Sequence, residues 1–152
     1  MDGYHLSNEV LLALGRRQRK GAPDTFDVGG FVALLQRVRT DSEVIYAPRF
    51  RREIEEPVAG SLVVDPQASG IVVEGNYLLL DSGGWERVAA LLDEVWYVDT
   101  PVEECRARLI TRASLTYGPV EGPKWVDTVD EANAALVRAC RPRATRHVVL
   151  HT

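Results

Sequence analysis

A chain of 152 residues with 45% hydrophobic and 26% charged side chains is sized for one globular domain burying about two-thirds of its unfolded surface. Its formal net charge of −4 argues against general nucleic-acid affinity, although a phosphate ligand needs only a local basic pocket. No apolar run nears the roughly 20 residues of a membrane span, no signal-peptide pattern opens the chain, and Cys105 and Cys140 form neither a disulfide framework nor a metal cluster, so a reducing cytoplasm is the simplest setting.

In chain order, Asp2-Gly3-Tyr4-His5 groups an acid, an aromatic ring and an imidazole. Asp2 is placed to accept a proton from a substrate hydroxyl, with His5 as hydrogen-bond partner. Ser7 or Asn8 caps a short helix that Gly15 ends. The basic run Arg16-Arg17-Gln18-Arg19-Lys20 enters the turn-rich Gly21-Ala22-Pro23-Asp24 and suits an anionic ligand or a solvated face. Asp27 caps a second helix, with Phe31, Leu34, Leu35 and Val38 at helical spacing. Strands are expected at Glu43–Ala47 and Val58–Val64, paired at an edge, with a charged excursion over Arg49–Glu56 between them.

Ile71-Val72-Val73 reads as a strand buried on both faces of a parallel sheet. It ends in Glu74-Gly75-Asn76, on the edge where open α/β sheets bind their ligands, so Glu74 is placed to hold a metal ion or order a water. An amphipathic helix is expected over Trp85–Leu92 and a second buried strand over Val95–Val98. Thr100-Pro101-Val102-Glu103 predicts a capping box that opens a helix to about Arg112. On that helix Arg108 and Arg112 share a face and suit a polyanion such as a nucleotide phosphate, while an Arg108–Glu104 pair is the plainer alternative. Ser114–Asp127, rich in Gly and Pro after Tyr117, reads as a loop able to close as a lid over residues 114–127. A helix over Val129–Cys140 and a strand over His147–His151 complete an α/β pattern with a largely parallel sheet.

An aspartate near a hydroxyl, a carboxylate near a metal and arginines near phosphates are the parts of phosphoryl transfer. The loop G-x-x-x-x-G-K-[ST], whose amides cradle nucleotide phosphates, occurs nowhere in the sequence.

From Asp2 nearly to His151 these pieces resemble, in order, the uridine kinase/phosphoribulokinase/pantothenate kinase group of P-loop kinases. Asp2-Gly3-Tyr4-His5 is similar to its D-G-F-H element, and Arg19 to Asp27 to its K-G-x-P-[DE]-[ST]-[FY]-D stretch. Tyr46-Ala47-Pro48-Arg49-Phe50 resembles the substrate-proximal segment and Val72-Val73-Glu74-Gly75 the Walker-B-like strand end. Val98-Asp99-Thr100-Pro101 through Arg108 and Arg112 resembles the lid helix with its phosphate-contacting arginines. Trp125 to Asn133 and Arg141 to Arg143 resemble the C-terminal segment. Ala144-Thr145 departs from the usual Ala-Asp, and Gly21 departs from an acidic residue of uridine kinases, which disfavours uridine as substrate.

The resemblance implies one three-layer α/β domain over residues 1–152, with a mostly parallel sheet and helices on both faces. By this mapping the first βα unit and its Walker A loop would lie upstream of Met1. The implied activity is transfer of phosphate from Mg-ATP to a hydroxyl of a nucleoside, pantothenate-like compound or sugar. Asp2 would be the base, and Glu74 the second catalytic carboxylate and Mg2+ ligand. Tyr4, His5, Lys20, Tyr46 and Asn76 would surround the substrate, and Arg108 and Arg112 would hold phosphates. This chain is expected to show little or no turnover. The alternative is a non-catalytic metabolite-binding protein that forms a homodimer through an exposed sheet edge.

Overall fold

The computed structural model describes residues 1–149, which form two compact units, Met1–Asp93 and the chain from Glu94 onward. In the first unit, Ser7 accepts a hydrogen bond from the Val10 amide and starts α1 (Asn8–Ala13), after which Gly15 turns with φ 65°. Asp27 accepts from the Gly30 amide at 2.8 Å and starts α2 (Val28–Thr40). Both caps satisfy amides that the first helical turn leaves free. Helix α2 buries Phe31, Val32 and Leu35, close to the stripe its periodicity predicts. Strands β1 (Ile45–Arg51) and β2 (Glu56–Val64) pair antiparallel, with Ile45 opposite Val64 and Arg51 opposite Glu56. The hairpin therefore takes in half of the expected charged excursion, residues 49–51 and Glu56, with a register shift between Ala47 and Arg49 and an irregular turn between the strands.

Two other expectations for this unit are corrected. Ile71–Val73 is not a strand; Val72 is 98% exposed. β-branched residues favour extended backbone but form a sheet only beside a hydrogen-bonding partner, and no strand among the described residues supplies one. The expected helix over Trp85–Leu92 is instead two 3₁₀ turns, Trp85–Arg87 and Ala89–Leu91. A three-residue period still places Trp85 and Val88 on one side, and both are fully buried.

In the second unit, β3 (Trp96–Asp99) pairs in parallel with β4 (Arg146–Val149). The remainder of the strand expected to reach His151 lies outside the described residues. Trp96 and Val98 are exposed, so β3 is not the buried strand its composition suggests. The capping box does not form: helix α3 (Val102–Trp125) begins after Pro101 with no side-chain cap, which leaves Thr100 outside it.

Nor does α3 stop near Arg112. It continues through the expected loop 114–127, bent at Gly118, where φ 87° and ψ 167° suit only glycine. Beyond that corner Gly122 lies against the Ala113–Ser114 backbone, where a Cβ would sit 2.5 Å from the Ser114 nitrogen. Glycines and prolines here thus build a helical corner rather than a loop. A π-type turn over Val126–Asp130 then leads into α4 (Glu131–Ala139).

Candidate functional site

The first unit joins two motifs that lie some 20 residues apart. Asp2–Tyr4 forms a 3₁₀ turn closed by the Tyr4 and His5 amides. His5 then bridges Phe26: the Leu6 amide donates to the Thr25 carbonyl at 2.9 Å, and the Asp27 amide to the Tyr4 carbonyl at 2.8 Å. Gly3 lies so close to β1 that a Cβ would overlap the Pro48 carbonyl, so the turn can seat there only with glycine. Asp2, Tyr4 and His5 are thereby fixed on the hairpin.

The loop over Gly21–Asp27 is held from within. Fully buried Thr25 accepts from the Gly21 amide and donates to the Ala22 carbonyl at 2.7 Å. Tyr77 donates from Oη to the Gly21 carbonyl at 2.6 Å, and Trp85 from Nε1 to the Pro23 carbonyl at 3.1 Å. These two rings pack with Phe26 at centroid distances of 5.5–5.8 Å. The basic run is largely tied up: Asp24 takes Arg19 at 2.5 Å and Arg16 at 3.4 Å.

Lys20 makes a clasp that sequence reasoning missed. Its Nζ donates to Asn8 Oδ1 at 2.8 Å and to the Glu55 carbonyl at 2.6 Å, and lies 5.2 Å from the Phe50 ring centre. The Asn8 amide donates to Glu56 Oε1 at 2.8 Å, whereas Glu56 Oε2 is buried without a partner. Glu55 itself has φ 52°, a conformation non-glycine residues seldom adopt. No local sequence signal announces a clasp whose members are separated by 12 to 48 residues.

Electrostatics follow from burial. Desolvation pushes the His5 pKa below its usual value, outweighing the opposing pull of the Asp2 carbonyl and carboxylate. Desolvation also lowers Lys20, against the attraction of Glu56, and raises Tyr4, to which the Asp27 charge adds. The Asp2 carboxylate is 3.6 Å from Arg52.

Glu74 is exposed at the end of its extended segment, with Gly75 packed against the Met1 side chain. The Met1 ammonium donates to the Glu74 carbonyl at 2.7 Å, so Asp2 and Glu74 are one residue removed from direct contact. Asn76 is exposed beside it, and Tyr46 projects from β1 at 64% exposure, paired with Val63. The structure thus brings His5 within the fields of Asp2 and Lys20, turns the Tyr4 ring onto Phe31, and ties the Glu74 backbone to Met1. Tyr46 and Asn76 have no contact that draws them into this group. Among the described residues no three His, Cys, Asp or Glu side chains converge as a metal site.

Arg108 and Arg112 belong to the second unit. With Ala107, Thr111 and Leu115 they line an open hollow of about 410 Å3. Arg108 pairs with Glu104, the plainer expectation, and with Arg112 it also lines the hollow. Arg106 is engaged by Asp127 at 2.6 Å. Burial raises the pKa of Asp130, against the opposing pull of Arg112 and a hydrogen bond with Trp125.

An α/β chain that seats an acid–imidazole turn on a hairpin and carries arginines along a helix has the makings of a P-loop kinase fold. No family model matches the sequence. An ATP-dependent kinase-like protein of Aspergillus versicolor is 40% identical over 120 residues, covering 74% of this chain and 70% of that protein. A candidate uridine kinase of Schizosaccharomyces pombe is 35% identical over 118 residues, 74% of this chain and 50% of its own length. A pantothenate kinase of Leifsonia xyli is 31% identical over 100 residues, 64% of this chain and 31% of its own. The crystal structure of a candidate fructose transport system kinase from Silicibacter superposes with a TM-score of 0.90 at 35% identity, over 97% of this chain and 72% of that one. The chain belongs to the uridine kinase/pantothenate kinase-like family of P-loop kinases. It spans only about half the length of the fission-yeast relative. Among the described residues no helix is long and apolar enough to cross a membrane.

Proposed function

We propose that the protein derives from, or is part of, an ATP-dependent kinase that phosphorylates a hydroxyl of a small metabolite: a nucleoside, a pantothenate-like compound or a sugar. Asp2 is the base that takes the hydroxyl proton, and His5 and Lys20 flank the acceptor, with Tyr4, Tyr46 and Asn76 assigned to it by the family resemblance alone. Magnesium keeps most of its water and needs only one or two protein carboxylates beside the nucleotide phosphates, so exposed Glu74 fits as its single ligand. Bound there, the metal would neutralise charge on the transferred phosphate. Arg108 and Arg112 suit phosphate oxygens, and the helical corner at Gly118 is the hinge of a lid. Two cysteines with no disulfide among the described residues suit the cytoplasm.

The observation that supports this reading is the backbone contact between the Asp2 turn and the Glu74 segment, made by the Met1 ammonium on the Glu74 carbonyl and by Gly75 against Met1. Without a G-x-x-x-x-G-K-[ST] loop, the 152-residue chain is expected to turn over little or no ATP. The test is labelled-phosphate transfer from ATP to uridine, pantothenate and fructose, using the gene product with any upstream coding sequence. Turnover that Asp2→Asn reduces at least about a hundredfold supports the proposal. Turnover unaffected by Asp2→Asn removes Asp2 from its role, and no turnover with any acceptor removes the kinase reading.

A second reading is a non-catalytic metabolite-binding protein that dimerises through exposed extended segments. It is favoured by the bare Ile71–Val72 segment and the Tyr46–Val63 pair. Concentration-dependent mass in sedimentation, with metabolite binding but no ATP binding, would select it.

A further inference from the structure

His5 holds more chemical information than its place in a motif. Its Nδ1 lies 2.8 Å from the Asp2 backbone oxygen. A carbonyl only accepts, so Nδ1 carries the hydrogen, and in the neutral ring the lone pair is then on Nε2. The ring is fixed by packing, with its centre 4.0 Å from Phe26 and 4.9 Å from Phe50. The carbonyl it donates to is fixed as well, because Gly3 seats that turn against Pro48. Nε2 makes no hydrogen bond among the described residues, and the sole buried side-chain polar atom without a partner there is Glu56 Oε2. Solvent therefore reaches Nε2.

The surroundings oppose a second proton. The Lys20 ammonium lies 5.2 Å and the Arg52 guanidinium 6.0 Å from the centre of the Phe50 ring that packs on His5. The Asp2 and Glu55 carboxylates pull the other way, but burial outweighs them and lowers the pKa. Lys20 already donates to two oxygens, and Arg52 faces Asp2. The unengaged group is thus an acceptor.

We propose that His5, locked as the Nδ1–H tautomer, reads a hydrogen-bond donor on the acceptor substrate through Nε2, and so selects a hydroxyl or N–H group at that point over a carboxylate or phosphate. The proposal rests on the kinase reading for the word substrate, but its geometry does not depend on ATP. A carboxylate or phosphate oxygen would meet Nε2 lone pair to lone pair. A hydroxyl donates to it.

Long-range 15N–1H spectra of histidine-labelled protein test this directly, with the His5 signals assigned as those absent from His5→Asn. At neutral pH, Nδ1 is expected to carry the hydrogen and Nε2 to show the shift of an unprotonated nitrogen. An Nε2–H tautomer or an imidazolium would overturn the proposal. Uridine, D-pantothenate, D-fructose and inorganic phosphate are then titrated at millimolar concentration. At least one of the three hydroxyl compounds should move the Nε2 signal, and phosphate should not. Movement by phosphate alone, or silence toward all four, would overturn it.

The amide of His5→Asn can still donate toward the Asp2 carbonyl. This variant should keep the thermal midpoint and bind the active hydroxyl compound about tenfold more weakly by calorimetry. Unchanged affinity would also overturn the proposal. Failure of ATP turnover would leave the tautomer and the Nε2 shift untouched, so the two readings fail separately.

Discussion

Up to Asp93 the core is aromatic: Phe26, Phe31, Tyr77 and Trp85 bury their rings against one another and tether the Gly21–Pro23 loop by two side-chain donors. From Glu94 onward the buried residues are small, among them Val95, Ala113, Gly122, Val126 and Val129. That part carries ion pairs on its surface, with Arg141 on Asp99 and Arg146 on Glu94 each held by two hydrogen bonds. Buried aromatic area is worth kilocalories per residue, whereas exposed ion pairs contribute little and weaken with salt.

The largest expected effect breaks the first unit. Trp85→Ala removes the ring at the centre of the cluster and should cost about 3–5 kcal/mol. Hydrogen exchange should accelerate across Met1–Asp93 and stay nearly constant from Glu94 onward. Equal acceleration in both would erase the distinction.

Gly118→Ala comes next. A side chain at φ 87° and ψ 167° is expected to cost about 1–3 kcal/mol, read as a lowered thermal midpoint. The effect should be confined to the second unit, as exchange of the amides around Tyr117–Trp125 would report.

Acidification sharpens the comparison through sign. His5 has a lowered folded pKa, so below about pH 6.5 the unfolded chain binds a proton that the folded state resists. The first unit should therefore lose stability as pH falls from about 7.5 to 5.5. The charges facing His5 are Asp2 on its own turn, Lys20 from the basic loop, and Arg52 and Glu55 from the hairpin turn. Asp130 has a raised folded pKa, and its contribution has the opposite sign: it is present at low pH and lost as pH rises through the folded value. Denaturant melts of wild type and His5→Asn should diverge on acidification, with wild type losing more. Parallel curves would mean that the ring is not buried as described.

The smallest effect is expected from Arg141→Ala, which removes an exposed partner of Asp99 and should barely move the midpoint. A large drop would show that the second unit depends on its ion pairs more than their exposure suggests.

Local chemistry was legible in the sequence, and pairing across distance was not. Ser7 and Asp27 announce their caps because the capping side chain and the amide it receives are three residues apart. Ile71–Val73 misleads because its pattern specifies an extended, apolar segment without specifying a neighbour. Gly118, Pro119, Gly122 and Pro123 read as loop breakers, yet one positive-φ glycine and one close helix contact turn the same residues into a corner. In the candidate site, Asp2, Tyr4, His5 and Lys20 could be named from their motifs. The clasp of Asn8 and Glu55–Glu56 on Lys20 could not, since only the fold brings β2 to α1. The arginines of α3 were readable as a shared face, but the Asp127 that engages Arg106 lies beyond the unforeseen corner.

The central claim is a kinase fold in which these 152 residues contain no phosphate-cradling loop, and calorimetric titration of this chain with Mg-ATP tests it most directly. The account predicts no heat of binding here, and binding by a version extended upstream to include a G-x-x-x-x-G-K-[ST] loop. Saturable Mg-ATP binding by the chain as given would contradict it, and would move the phosphate site to residues such as Arg108 and Arg112 acting without such a loop.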